Sequence, residues 1–480
     1  MRHSALKQCL GLACVLIGTL ASKTAVGMPE VLGRHAQATG VPLESVGLWV
    51  GKADGSHVAA EYNADTLMQP ASSIKVVTSL AALELLSPAY VWKTWVYLDR
   101  LPDADGTASG LSLRGGGDPH LVVERLWLIV ERLSSLGVKR LEGDIVIDRG
   151  VFDTPPYEQG GFDGATLRSY NVGPDAMLTN FKSVSLRFTP NADGKSVRVA
   201  MTPRLSGVRL PELVKTAPGR CDDWKTMLKA NFSDPTHLRF DGAYPAGCAE
   251  RHWHVSRWER NDYFGRVFRT LFEQTGGVWN GTVKNGTIAA DRRPIFSQDS
   301  EPLSHIADYV NKFSNNPMAR QLFLTLSFAD AHGMTRPASL ERSRRVLSSW
   351  LRGKGVDPTQ IVVDNGSGLS RETRASARAL GRLMVAGYRS AVMPEFIGSL
   401  PMAGVDGTLK RRPLPQGSAH AKTGYLKNVR SLAGYITDTN GERWVVVVMI
   451  NDERLEGGKS FIDGVVQWVA SGAARSTGNP

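Results

Sequence analysis

Two pairs of strand-like runs, each folded about a tight turn, stand at opposite ends of this chain and constrain its fold more than any other feature. Near the start, "VGLWVGKADGSHVAAEYNAD" (46–65) has strand-like stretches on either side of Asp54-Gly55. Near the end, "SLAGYITDTNGERWVVVVMIND" (431–452) has two β-rich runs around Asn440-Gly441. Asp-Gly and Asn-Gly favour the tight turns of β-hairpins. Strands at both ends can share one sheet, so the termini form one domain and the middle of the chain is inserted into it. That middle, from about 100 to 280, has short strand-like pieces ("LSLRG", "GDIVID", "VSLRF", "VRVAM") with many Gly and Pro, which reads as β-rich. Helical spacing is found at 72–86, 307–326, 374–390 and 459–473. There is no short repeat and no low-complexity tract.

The first residues have the form of an export leader. Arg2 and Lys7 precede the apolar "CLGLACVLIGTLA" (9–21), and "AVG" (25–27) supplies small residues for cleavage before Met28. The apolar run is short for a bilayer span; an uncleaved anchor is the alternative. A lipoprotein is disfavoured because "GLA" before Cys14 lacks the large aliphatic residue expected there. No later run is long enough to span, since "WVVVVMI" (444–450) stops after seven residues. The expectation is a mature chain that is soluble and exported to the periplasm, or peripheral at the envelope.

Loss of residues 1–27 removes Arg2, Lys7, Lys23 and no acid, taking the net charge from +11 to about +8. That surplus suits an anionic envelope, or is simply solvated surface charge. No basic run is interleaved with aromatics, so nucleic acid is not an expected partner. Cys221 and Cys248 are the pair left after the leader, in a compartment that permits oxidation. A disulfide between them is expected, with two buried thiols as the alternative.

The chemistry begins at "PASSIKVVTSL" (70–80), where Ser72 and Lys75 are three apart at the head of a helical run. Residues so spaced share a helix face. A serine hydroxyl is a poor nucleophile until something takes its proton. A lysine can do so only when burial or neighbouring positive charge favours its neutral form, and the positive end of the helix dipole adds to both. "HAKTGYLKN" (420–428) puts Lys422 and Thr423 on an expected strand as cation and hydroxyl for a carboxylate, with Gly424 leaving room for an added peptide strand. In "NKFSNNPMARQ" (311–321), Ser314 and Asn316 are two apart and need a turn to face one cleft. There Ser314 can pass a proton to a leaving amine and Asn316 can bind a substrate amide; a polar turn capping the next helix is the alternative.

Each motif alone is weak, but S-x-x-K, S-x-N and K-T-G in this order are the signature of the penicilloyl-serine enzymes. The 242 residues from Ser72 to Ser314 leave room for extra domains that compact β-lactamases lack. With "LSLRGGGDPHL" (111–121), "GDIVID" (143–148), "VDNGSGLSR" (363–371) and "LPMAGVDGTLKRR" (400–412), the chain resembles the low-molecular-mass class C penicillin-binding proteins, D-Ala-D-Ala carboxypeptidases and endopeptidases of the penicillin-binding protein 4 type. The likeness covers nearly all of the mature chain.

The resemblance implies an α/β (α+β) fold: a transpeptidase/β-lactamase-like domain, antiparallel sheet with helical cluster, interrupted by β-rich inserted domains. By that division 28–98 and 287–480 are catalytic, 99–178 and 262–286 form a second domain, and 179–261 a third nested within it. It implies peptidoglycan stem peptides as substrate, β-lactams as inhibitors, and no cofactor or metal. Ser72 would be acylated, Lys75 would be its base, and Lys312 would sit near the Ser314 turn. Lys422 and Thr423 would hold the terminal carboxylate, and the N–H groups of Ser72 and Tyr425 would form the oxyanion hole. Asp163 is a candidate for meeting the amino group of a stem-peptide diamino acid, or else a solvated loop aspartate. Ser367 either supports the cleft or belongs to a Gly-rich turn.

Two residues depart from the family pattern. Tyr425 stands where a small hydroxyl residue is usual, and Arg320 where an acid often follows S-x-N. Other constellations lead nowhere: "LRGGGDPH" has neither G-x-G-x-x-G nor a Walker lysine, His252 and His254 lack a nearby third ligand, and there is no G-x-S-x-G elbow. Two further functions remain open on sequence alone, a serine β-lactamase and a non-catalytic peptidoglycan-binding protein.

Overall fold

The computed structural model describes residues 27–476. The expected leader therefore lies, apart from Gly27, outside the described residues. Both turns form as expected: β1 (Val46–Lys52) pairs with β2 (Val58–Tyr62), and β4 (Val429–Thr437) pairs with β5 (Arg443–Asn451), all antiparallel. With β3 (Ala419–Leu426) they make one sheet in the order β2-β1-β5-β4-β3. The two chain ends meet at β1 and β5, where Val46 lies opposite Ile450 and Lys52 opposite Trp444.

The apolar run of β5 follows from its central place. Val445, Val447 and Met449 point into one core, and Trp444, Val446, Val448 and Ile450 into another. A strand covered on both faces has no solvent side, so alternation gives way to continuous apolar residues. One face carries a helical cluster that includes α2 (Lys75–Leu86), α3 (Leu303–Lys312), α4 (Asn316–Thr325), α5 (Leu340–Gly353) and α6 (Ala377–Tyr388). The other is covered by α1 (Glu30–Thr39) and α7 (Gly458–Ala470).

The helical periodicity over 307–326 is interrupted. It runs as α3 and α4, with a break at 313–315 where Ser314 takes φ +56°. Asn315 caps α4 by accepting from the Met318 N–H, and Pro317 sits in the first turn where no amide hydrogen is required.

The middle of the chain holds two further five-stranded sheets. One takes Lys93–Tyr97, Ser112–Gly115, Ile145–Asp148, Val283–Asn285 and Phe296–Asp299. The other takes Val184–Pro190, Ser196–Thr202, Leu213–Ala217, Tyr244–Pro245 and Arg251–Val255. This moves the outer boundary of the division read from sequence: Lys93–Tyr97 and Phe296–Asp299 pair with each other, and Val96 and Phe296 join the core of the insert. His252 and His254 lie on an outer strand of the second sheet, His252 beside Glu250.

Cys221 and Cys248 are joined, with Cα atoms 5.4 Å apart, closing a 27-residue interval beside the second sheet. Closure of a loop that long stabilises by about 3.5 kcal/mol through the unfolded state. We predict that replacing both cysteines by serine lowers the stability of the insert by about 2–4 kcal/mol, measured by denaturant unfolding. Labelling of the distant Ser72 is expected to persist below the new transition.

Candidate active site

Ser72 lies in the 3₁₀ turn Ala71–Ile74, and Lys75 is the first residue of α2. Ala71, just before the serine, has φ +48°. A left-handed alanine costs on the order of 1 kcal/mol, and Ser314 at the break between α3 and α4 is held in the same region. Both turns that present a candidate serine are thus bent in a way their residues do not prefer.

The Lys75 side chain is completely buried. Its Nζ lies 2.9 Å from Ser72 Oγ, 2.7 Å from Asn316 Oδ1 and 2.5 Å from the Ser367 carbonyl. An ammonium would donate to all three. A neutral amine has two hydrogens and one lone pair; if Asn316 and Ser367 take the hydrogens, the lone pair is left facing Ser72. Burial, with Lys422 and then Arg320 adding positive charge, holds this amine well below the usual lysine range. The arrangement can therefore accept the hydroxyl proton.

Asn316 is freed for this contact because its neighbour Asn315 does the capping. Sequence had offered Asn316 for a substrate amide and left Ser367 between cleft support and turn. Ser367 does both: its carbonyl accepts from Lys75, and its hydroxyl closes the turn onto Asn365 Oδ1 at 2.7 Å. A backbone carbonyl leaves no residue-type signature, so this partner was not readable from sequence.

On the facing edge strand β3, Lys422 is also completely buried, and burial pushes its amine down to about 7. Its Nζ lies 2.8 Å from the Thr423 carbonyl. Thr423 Oγ1 donates to Thr408 Oγ1 at 2.8 Å. A Cβ on Gly424 would meet Ser431 Oγ at 2.1 Å and the Pro70 carbonyl at 2.6 Å. The glycine thus lets β3 press against the nucleophile turn; the room read from sequence as space for a peptide is filled by protein. Ser431 Oγ donates to the same Pro70 carbonyl at 2.6 Å and locks strand to turn.

The remaining candidates sit further out. Lys312 is paired with Asp406 at 2.6 Å, which draws its charge toward the 401–409 segment. Asp163 accepts from the Ala165 N–H, Tyr170 Oη and Asn171 Nδ2. Its loop reaches the cleft side through Arg371, whose guanidinium lies over Phe162 at 5.0 Å. Tyr425 is 69% exposed and Phe313, which sequence did not flag, 68%. Arg430 stacks on the Tyr425 ring at 3.8 Å.

Arg320, the charge reversal, is 2% exposed and has no carboxylate within ion-pair distance among the described residues. It donates to the carbonyls of Tyr170 (3.1 Å) and Val172 (2.7 Å) and lies over the Tyr157 ring. It therefore ties the insert to α4 while keeping a positive charge near Lys75, with Asp364 the acid whose charge acts on it.

The sequence profile of the D-Ala-D-Ala carboxypeptidase 3 (S13) family matches residues 30–471. The chain belongs to this family. It is 24% identical over 413 residues to D-alanyl-D-alanine carboxypeptidase DacB of Haemophilus influenzae, covering 85% of each chain. To a D-alanyl-D-alanine carboxypeptidase of Actinomadura sp. it is 28% identical over 392 residues, 78% of this chain and 71% of that one. Its fold is that of penicillin-binding protein 4 (dacB) from H. influenzae, with a TM-score of 0.72 at 22% identity over 92% of this chain and 99% of that one. A penicillin G-acylated predatory endopeptidase from Bdellovibrio bacteriovorus follows at TM-score 0.52 and 17% identity, over 91% and 94%.

Removing the Arg320 charge should let Lys75 hold its proton to higher pH. We predict that Arg320→Met moves the acidic limb of the pH profile for β-lactam acylation to higher pH, followed as the rate of labelling. An unmoved limb would show that the arginine acts only as a clamp.

Proposed function

We propose that this S13 family member is a serine D-Ala-D-Ala carboxypeptidase and/or DD-endopeptidase of peptidoglycan stem peptides, acting through an acyl-enzyme on Ser72 and inhibited by β-lactams. The observation that carries the reading is the buried Lys75 amine 2.9 Å from Ser72 Oγ, depressed by burial and two neighbouring cations. Lys75 takes the hydroxyl proton as Ser72 Oγ attacks the carbonyl carbon of the penultimate D-alanine. The N–H groups of Ser72 and Tyr425 hold the oxyanion. Ser314 hands a proton to the leaving nitrogen, and water then releases the acyl group. Lys422 and Thr423 hold the carboxylate of the leaving residue, Asn316 both orients Lys75 and meets the substrate amide, and Asp163 meets the diamino acid. Lys312, paired with Asp406, steadies the segment across from β3.

A β-lactam carries the same acyl carbon and carboxylate, but its nitrogen stays tethered after the ring opens, so it blocks the site. The proposed location is the periplasm, after removal of residues 1–27; the disulfide supports an oxidising compartment. Among the described residues no helix is long and apolar enough to cross a membrane.

Two variants and a pH profile test this. Ser72→Ala should take up no penicillin label, and Lys75→Met should acylate roughly 10³ times more slowly; a Ser72→Ala protein with full activity would remove Ser72 as the nucleophile. Rapid turnover of free penicillin in place of a lasting adduct would mark a β-lactamase. Lys75 must be neutral to act, so kcat/KM should fall as pH drops through its lowered pKa. Lys422 must be charged to hold a carboxylate, so kcat/KM should also fall as pH rises past about 7.

A further inference from the structure

A groove of about 220 Å³ opens beside Thr423 and Gly424 of the proposed carboxylate-holding strand. Thr408 belongs to its wall and touches Thr423, so the groove is continuous with the K-T-G strand. Arg411, Arg412, Arg430 and Lys459 also line it. Among the described residues Arg412 is the one of these four in ion-pair contact with an acid, Asp463, whose charge also acts on Lys459; Arg412 donates as well to the Lys459 carbonyl. Arg411 and Lys459 have no carboxylate within ion-pair distance among the described residues. Arg430 donates to the Leu426 and Val429 carbonyls, has no carboxylate within ion-pair distance among the described residues, and is shelved on Tyr425. Four cations gathered in one concavity against a single carboxylate raise the local concentration of anions.

We propose that this groove is a subsite for the carboxylate-bearing leaving strand of a peptidoglycan cross-link, a proposal that rests on the acyl-enzyme reading above. When the leaving group is free D-alanine, the substrate ends at Lys422 and Thr423 and nothing extends into the groove. In a cross-link the leaving nitrogen belongs to the diamino acid of a second stem peptide, which continues beyond that point and bears further carboxylates. Ser72 Oγ bonds to the acyl carbon, and the amide C–N bond breaks. The nitrogen takes up the proton that left Ser72 and departs as a primary amine, its strand still lying along Arg411, Arg430 and Lys459. Tyr425 fits this role: the small hydroxyl usual at its position gives way to a ring that carries Arg430 into the groove.

The test compares a cross-linked muropeptide dimer with a monomeric pentapeptide, using the full mature protein and the double variant Arg411→Gln/Lys459→Gln. Loss of two charge-assisted contacts should lower kcat/KM on the dimer by at least about tenfold. D-alanine release from the monomer and acylation by benzylpenicillin should stay within about twofold, and Arg411→Lys/Lys459→Arg should restore dimer cleavage. Added salt should weaken dimer cleavage in the parent more than in the variant. Equal losses on both substrates, no loss on the dimer, or a parent that benzylpenicillin acylates but that leaves the dimer intact would each overturn the subsite. A parent that benzylpenicillin does not label would refute the acyl-enzyme reading itself, and the subsite with it.

Discussion

An amine removed from water must find its partners in the protein or give up its charge, and Lys75 does both. Two fixed acceptors, Asn316 Oδ1 and the Ser367 carbonyl, account for two of its directions, and the third faces Ser72. Each partner comes from a different part of the chain: the first turn of α4, the Gly-rich segment before α6, and the nucleophile turn itself. Burial alone penalises an ammonium, and the nearby Lys422 and Arg320 push in the same direction. The proposed role of Lys75 as base depends on withholding counter-charge, since a carboxylate beside it would favour its proton.

Holding that geometry falls to the central sheet. Because β5 is packed on both faces, a one-residue slip of its register would exchange the side chains of the two cores. Fixed register fixes β3, and β3 is pinned to the nucleophile turn by the close approach at Gly424 and the bond from Ser431 to Pro70. The strained backbone at Ala71 and Ser314 persists because these surroundings leave the chain little alternative. The insert takes part as well: Arg320 reaches from α4 to the carbonyls of Tyr170 and Val172, so an inserted loop is tied to the helix that positions Asn316.

Local signals carried most of the fold. The Asp-Gly and Asn-Gly turns, the helical spacing at 374–390 and 459–473, and the strand pieces of the insert are visible because turn chemistry and periodicity act over a few residues. The boundary near 93 and 296 was not visible, since Lys93–Tyr97 and Phe296–Asp299 are joined only by long-range pairing. In the site, Ser72, Lys75 and Lys422 were legible as residue types at set spacings. The Ser367 carbonyl was not, because every residue has one. The division of labour between Asn315 and Asn316 could have been read from Pro317, which marks where the helix begins. Gly424 was read as leaving space for substrate, whereas only the folded chain shows Pro70 and Ser431 filling it.

The most direct test is to watch Lys75 titrate. In protein carrying ¹³Cε-labelled lysine, with Lys75→Met used to assign the resonance, the account predicts that the Lys75 Cε signal moves between its ammonium and free-amine positions well below the ordinary lysine range. A resonance that changes only near the ordinary lysine value of about 10.4 would contradict it.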